Sequence, residues 1–136
     1  MRVIIAGSRK LRSFNTMLWA IRNSGFNITE VVSGKQITYE NGQPVGGADY
    51  LGEKWARMHE IPVTPFWADW THWGKAAGPR RNSEMVKYAR EDPEGGALIA
   101  VRVGEVSKGT DDVIAKAQVA GLKVFVAQIA EREGDA

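Results

Sequence analysis

A chain of 136 residues, 43% hydrophobic and 25% charged, is long enough to bury a core as one domain and is not disordered by composition. No apolar stretch approaches the roughly 18 residues of a spanning helix. The absence of cysteine excludes disulfides, thiolate nucleophiles and Cys-based metal sites, and is compatible with the cytoplasm. A net charge of +2 is too small to argue for nucleic acid by itself.

The first apolar run, RVIIAG (2–7), is too short for a signal-peptide core and reads as a strand buried on both faces. Phe14, Met17, Leu18 and Ile21 recur at helical spacing, and Asn23-Ser24-Gly25 stops that helix. EVVSG (30–34) is a second strand. In KQITYENGQPVGG (35–47), Asn41-Gly42 between β-formers predicts a small hairpin. Leu51, Trp55 and Met58 mark a second helix, and IPVTPFWA (61–68) reads as a third strand despite its prolines. Met85, Val86 and Ala89 give a third helix, and ALIAVRV (97–103) is the fourth strand. Ile114, Ala117 and Ala120 carry a fourth helix that stops at Gly121, before the fifth strand, KVFVAQI (123–129). This alternation predicts one Rossmann-like, three-layer α/β domain over residues 1–130, with a mostly parallel sheet of about five strands and helices on both faces. Residues 131–136 read as a frayed tail.

In such sheets, ligands bind beyond the carboxyl ends of the strands, where helix N-termini offer unpaired N–H groups. Four connections reach that edge: GSRKLR (7–12), SGK leading to GGAD (46–49), ADW leading to GKAAGPRRN (74–82), and VGEVSKGTDD (103–112). Arg9, Lys10, Arg12, Lys35, Lys75, Arg80, Arg81, Arg102 and Lys108 all fall there, half of the chain's 18 Lys and Arg residues. A cationic rim on a nearly neutral protein favours an anion such as phosphate or pyrophosphate. The glycines would let backbone amides approach its oxygens, and Arg80 and Arg81 would clamp them. Neither G-x-G-x-x-G nor Walker A is present, which disfavours NAD and ordinary P-loop chemistry.

IIAGSR, VVSG followed by GADYLGEKWA, FWADWTHWGKAAGPRRNSEMVKYA, and ALIAVRVGEVSKGTDDVIAKAQVAGLKVFV together resemble the YspA-like branch of the SLOG superfamily, over most of residues 2–126. The resemblance implies a Rossmann-like fold and a nucleotide or nucleotide-derived phosphorylated ligand, which the protein senses, sequesters or processes. Gly7, Ser8 and Arg9 match the first glycine-rich turn, and Gly34 with Gly47, Ala48 and Asp49 match two halves of a loop that relatives keep continuous. Gly74, Lys75, Ala77, Gly78, Pro79, Arg81 and Asn82 match the central motif, and Ser107, Gly109 and Thr110 the last loop. Segment 35–46 departs from the pattern as an insertion that caps the site, changes ligand size or forms an interface.

The superfamily includes Lonely-guy phosphoribohydrolases, whose phosphate loop P-G-G-x-G-T resembles Ser107-Lys108-Gly109-Thr110. The same residues suit a helix cap before Asp111 and Asp112. Hydrolysis of an N-glycosidic bond would need a carboxylate, with Asp49, Glu53 and Asp69 as the candidates. Asp49 also suits a helix cap, and Glu53 also suits an ion pair with Arg57. Paired carboxylates admit Mg²⁺, although no motif demands a metal. Trp67, Trp70 and Trp73 recur every third residue, and Trp70 could stack on a base or serve core or subunit packing. His72, among them, is an acid–base candidate, whereas His59 reads as an exposed helix end. A DprA-like single-strand binder using Arg80, Arg81 and the tryptophans is the remaining alternative. Superfamily relatives commonly pair, which implies a homo-oligomer.

Overall fold

The computed structural model describes residues 1–104 and 107–131. Five strands, β1 (Arg2–Gly7), β2 (Glu30–Ser33), β5 (Val63–Pro65), β6 (Ala97–Val103) and β7 (Lys123–Ile129), form one parallel sheet in the order β5-β2-β1-β6-β7. Alternate residues of a strand face opposite sides. Val3 and Ile5 accordingly join the core with Met17, Ala20 and Ile21 of helix α1 (Phe14–Ser24) and with Leu51 and Ala56 of α2 (Ala48–Met58). Ile4 and Ala6 join the opposite core with Met85, Val86 and Ala89 of α4 (Ala77–Arg90) and with Val113 and Ala117 of α5 (Lys108–Val119). The result is the expected three-layer Rossmann-like α/β fold. Among the described residues no helix is long and apolar enough to cross a membrane.

The strand order carries functional meaning. The chain steps from β1 outward to β2 and β5, then returns to the other side of β1 for β6 and β7, and the covering helices change face at that return. Adjacent connections at the carboxyl ends of β1 and β6 therefore diverge, which is the geometry of a topological switch point.

Local chemistry accounts for the boundaries. Ser13 caps α1 by accepting from the Thr16 amide at 3.1 Å, and Gly25, at φ 70°, ends it. Strands β3 (Thr38–Glu40) and β4 (Gln43–Gly46) form the antiparallel hairpin expected within 35–47. Its turn has Asn41 at φ 52° and Gly42 at φ 76°, the pair of positive angles a tight hairpin requires. The third sheet strand is shorter than the 61–68 expected: only Val63, Thr64 and Pro65 pair with β2, directly after Pro62, which lacks an N–H group. Asp69 caps the short helix α3 (Trp70–Trp73), accepting from the His72 amide at 3.0 Å. Of the tail expected from 131, Glu131 is held by Lys10 at 2.8 Å, and 132–136 lie outside the described residues.

Candidate functional site

A hollow of about 880 Å³ opens at the switch point. Gly7 begins it: a Cβ there would stand 2.1 Å from the Val101 carbonyl oxygen, so only glycine lets β1 end this close to β6. The Ser8 amide then donates to the same carbonyl at 2.9 Å. The next turn wraps onto the start of α2, whose Gly47 and Ala48 amides donate to the Leu11 and Ser8 carbonyls at 2.8 and 3.0 Å. Gly47 and Ala48 thus build the frame and do not line the hollow. Ser8, Arg9, Lys10 and Arg12 do line it.

From the β6 side the hollow is lined by Ser107, Lys108, Gly109 and Thr110, the first turn of α5 and the residue before it. The Ser107 hydroxyl, expected to cap, donates instead to the Thr110 hydroxyl at 2.7 Å, and no side chain of Ser107 accepts from the helix. Gly109 is exposed, and a Cβ there would meet nothing within 4 Å. Asn82 fixes the turn from α4, donating to the Gly109 carbonyl at 3.3 Å and to Asp112 at 3.0 Å.

The inner lining includes two buried ionisable groups, Arg81 and Asp49. Arg81, 8% exposed, donates to the Gly34 carbonyl at 2.7 Å and to Asn82 at 3.1 Å. Gly34 serves this contact, since a Cβ would sit 2.9 Å from an Arg81 nitrogen. Burial lowers the guanidinium's pKa, against the charges of Asp49 and Asp112. Asp49, 5% exposed, accepts from the Gln36 amide at 2.9 Å. Burial pushes its carboxyl up to about 6, against that hydrogen bond and the Arg81 charge, while Glu53 adds to the rise.

Gln36, Ile37, Thr38 and Tyr39 form a further part of the lining. No sequence motif marks them, because a hairpin's signature lies in its turn and its tertiary position depends on what docks it. Here the Thr38 hydroxyl donates to the Arg9 carbonyl at 2.7 Å and Arg12 faces Glu40 at 3.8 Å. Met85 and Val113 add apolar lining from α4 and α5.

Other residues singled out by the sequence stand outside this lining. Glu53 is buried beneath it, accepting from Ser33 at 2.6 Å and Lys35 at 2.8 Å, with Arg57 at 3.5 Å. Its carboxylate is occupied in joining α2 to the end of β2. Asp69 is the α3 cap already described. Trp70 is half-exposed, and its ring would be 3.3 Å from a Cβ at Gly78, so that glycine makes room for an indole rather than a phosphate. Arg80 stacks on Trp73 at 3.5 Å from the ring centroid. Gly74 and Lys75 belong to a single 3₁₀ turn between α3 and α4, exposed to solvent. His72 is exposed against Trp73, and His59 ends α2 in the open as expected.

Among the described residues no three His, Cys, Asp or Glu side chains stand together as a metal cluster. Of the paired carboxylates that suggested Mg²⁺, Asp49 alone lines the hollow, and Glu53 is engaged by Ser33 and Lys35. The pair does not fit one ion.

Fold and hollow together define a Rossmann-like α/β protein with a cation-lined cavity at its switch point. The chain belongs to the family of the Gene 61 protein of Mycobacterium phage D29, to which it is 32% identical over 134 residues, spanning 91% of this chain and 94% of that protein. No family model matches the chain, and no solved structure matches it.

Proposed function

We propose that the protein binds a nucleotide or nucleotide-derived phosphorylated ligand in the hollow between β1 and β6. One observation carries the reading: Arg9, Lys10, Arg12, Arg81 and Lys108 converge with the first turn of α5 around a single hollow of about 880 Å³. Amides at the start of a helix favour an anion, and guanidinium groups hold phosphate oxygens through paired hydrogen bonds. The volume lies in the range of small-molecule sites, about 300–1,000 Å³. The resemblance to the YspA-like branch of the SLOG superfamily supports the same ligand class. Self-association, implied by that resemblance, and a cytoplasmic location, compatible with the lack of cysteine, belong to the same proposal.

Thermal denaturation with the four nucleoside 5′-monophosphates, ribose 5-phosphate and pyrophosphate tests it. A ligand at 100 times its Kd stabilises by about 2.7 kcal/mol, a rise of several degrees in Tm for a domain this size. Silence toward all of these compounds, with steeply salt-dependent binding of single-stranded oligonucleotides, would overturn the proposal. Binding would then fall to the exposed Trp67, Trp70 and Trp73, the last of them stacked with Arg80.

A second reading, hydrolysis of an N-glycosidic bond, is favoured specifically by Asp49, a buried hollow-lining carboxyl with a pKa raised to about 6. Such a group exchanges protons near neutrality, as a general acid or base must. Chromatography of incubated nucleotide would then show free base. Asp49→Asn would retain binding and lose turnover.

A further inference from the structure

The proposed ligand needs recognition at two ends, and the phosphate reading accounts only for the charged one. Among the residues lining the hollow, Tyr39 is the single aromatic. It is 58% exposed, on a three-residue strand opposite Pro44, and the ring stacking found among the described residues involves other aromatics. An exposed aromatic is costly to leave in water and gains by covering a flat apolar face.

The strand that carries it is held in place. The segment leading into it is tied by the Gln36 amide to Asp49 at 2.9 Å, its first residue by the Thr38 hydroxyl to the Arg9 carbonyl at 2.7 Å, and its last by Glu40 facing Arg12 at 3.8 Å. The returning strand is pressed so closely on the 8–12 turn that a Cβ at Gly46 would lie 2.5 Å from the Leu11 carbonyl oxygen. Tyr39 is therefore presented to the hollow by a preorganised hairpin, which lowers the entropy of ordering on binding. Trp70, which the sequence offered for stacking, is packed over Gly78 outside the lining.

We infer that the 38–46 hairpin is the base-recognition wall of the site and that Tyr39 stacks on the nucleobase of the bound ligand. The inference rests on the phosphate reading and extends it to a substrate class: an aromatic base joined to a phosphate, rather than a sugar phosphate alone. Stacking on one aromatic ring tolerates every base, because each presents a π-face. The hairpin thus selects bases as a class, and discrimination among them falls to polar groups such as Thr38 and the adjoining Gln36, which line the same hollow.

Calorimetric titration of the whole protein with the four nucleoside 5′-monophosphates and with ribose 5-phosphate tests this. At least one monophosphate is expected to bind about tenfold more tightly than ribose 5-phosphate. Tyr39→Ala should remove that advantage and leave ribose 5-phosphate binding unchanged, whereas Tyr39→Phe should keep it. Monophosphates that bind Tyr39→Ala as tightly as the wild type would overturn the inference while leaving the phosphate reading intact. A wild-type protein that binds none of the five would overturn both.

Discussion

At Asp49 the cost of burial outweighs the help of its neighbours. The Gln36 amide and the Arg81 charge both favour the carboxylate, yet its pKa stands at about 6 against an ordinary 3.8. A raised acid pKa means that the folded state holds a proton the unfolded chain has released. Stability contributed by Asp49 is therefore full below about pH 4 and declines as pH rises through 6, by about 3 kcal/mol in total. Glu30 and Asp92, both held below the usual carboxylate range, act with the opposite sign below that window. Urea denaturation at half-unit steps from pH 4 to 7.5 should show the decline, and Asp49→Asn should lack it. Glycine positions divide just as sharply. Gly7→Ala meets the Val101 backbone and should cost about 3 kcal/mol or more, in the range of strained and overpacked cores. An alanine at Gly109 meets open space and should change stability by about 0.5 kcal/mol or less. Both sites lie in glycine-rich motifs of the sequence. Only tertiary contact separates the glycine that a backbone excludes from the glycine that is free to vary.

Among the elements, α4 and α5 converge on the hollow, and Asn82 links them through the Gly109 carbonyl and Asp112. Asn82→Ala should destabilise the domain by about 1–2 kcal/mol. Its more telling effect should be a larger rise in amide exchange at Asp111, whose amide donates to the Ser107 carbonyl at 2.9 Å, than at the middle of α5, because the link holds the first turn locally. The elements also show where sequence reading stops. Strands 2–7, 97–103 and 123–129 were legible residue for residue, because an apolar run bounded by turn residues has one reading in a parallel sheet. The hairpin was legible as an element from Asn41-Gly42, but its place beside the 8–12 turn was not. That depends on Thr38, Arg12 and the close approach at Gly46, none of which has a sequence signature. The third strand was overextended for a related reason: its pairing begins only after Pro62 and covers three residues, a limit that an apolar pattern does not register.

For the molecule as a whole, strand order matters more than any motif. Alternating strands and helices predict a parallel sheet but leave its order open, and the order β5-β2-β1-β6-β7 is what sets the ends of β1 and β6 side by side. The cations of that edge sort into those that line the hollow and those that do not. Arg9, Lys10, Arg12, Arg81 and Lys108 line the hollow. Of the others expected on the rim, Lys35 binds Glu53, Arg102 faces Asp111, Arg80 covers Trp73 and Lys75 is exposed on its turn. Charge at the correct edge of a sheet is thus necessary for a site and insufficient to define one. The shared hollow adds the requirement that the loops point at one another.

Gly109→Asp examines that requirement most directly. The new side chain has room, and an acidic residue in the first turn of α5 stabilises the helix by about 0.3–1 kcal/mol, so the free protein should melt at the wild-type temperature or slightly above. Its carboxylate, however, would stand where phosphate oxygens are expected. Thermal denaturation of wild type and variant with a nucleoside 5′-monophosphate that stabilises the wild type should show the shift abolished in the variant. An undiminished shift in a folded Gly109→Asp protein would contradict the account, because the anion would then sit elsewhere.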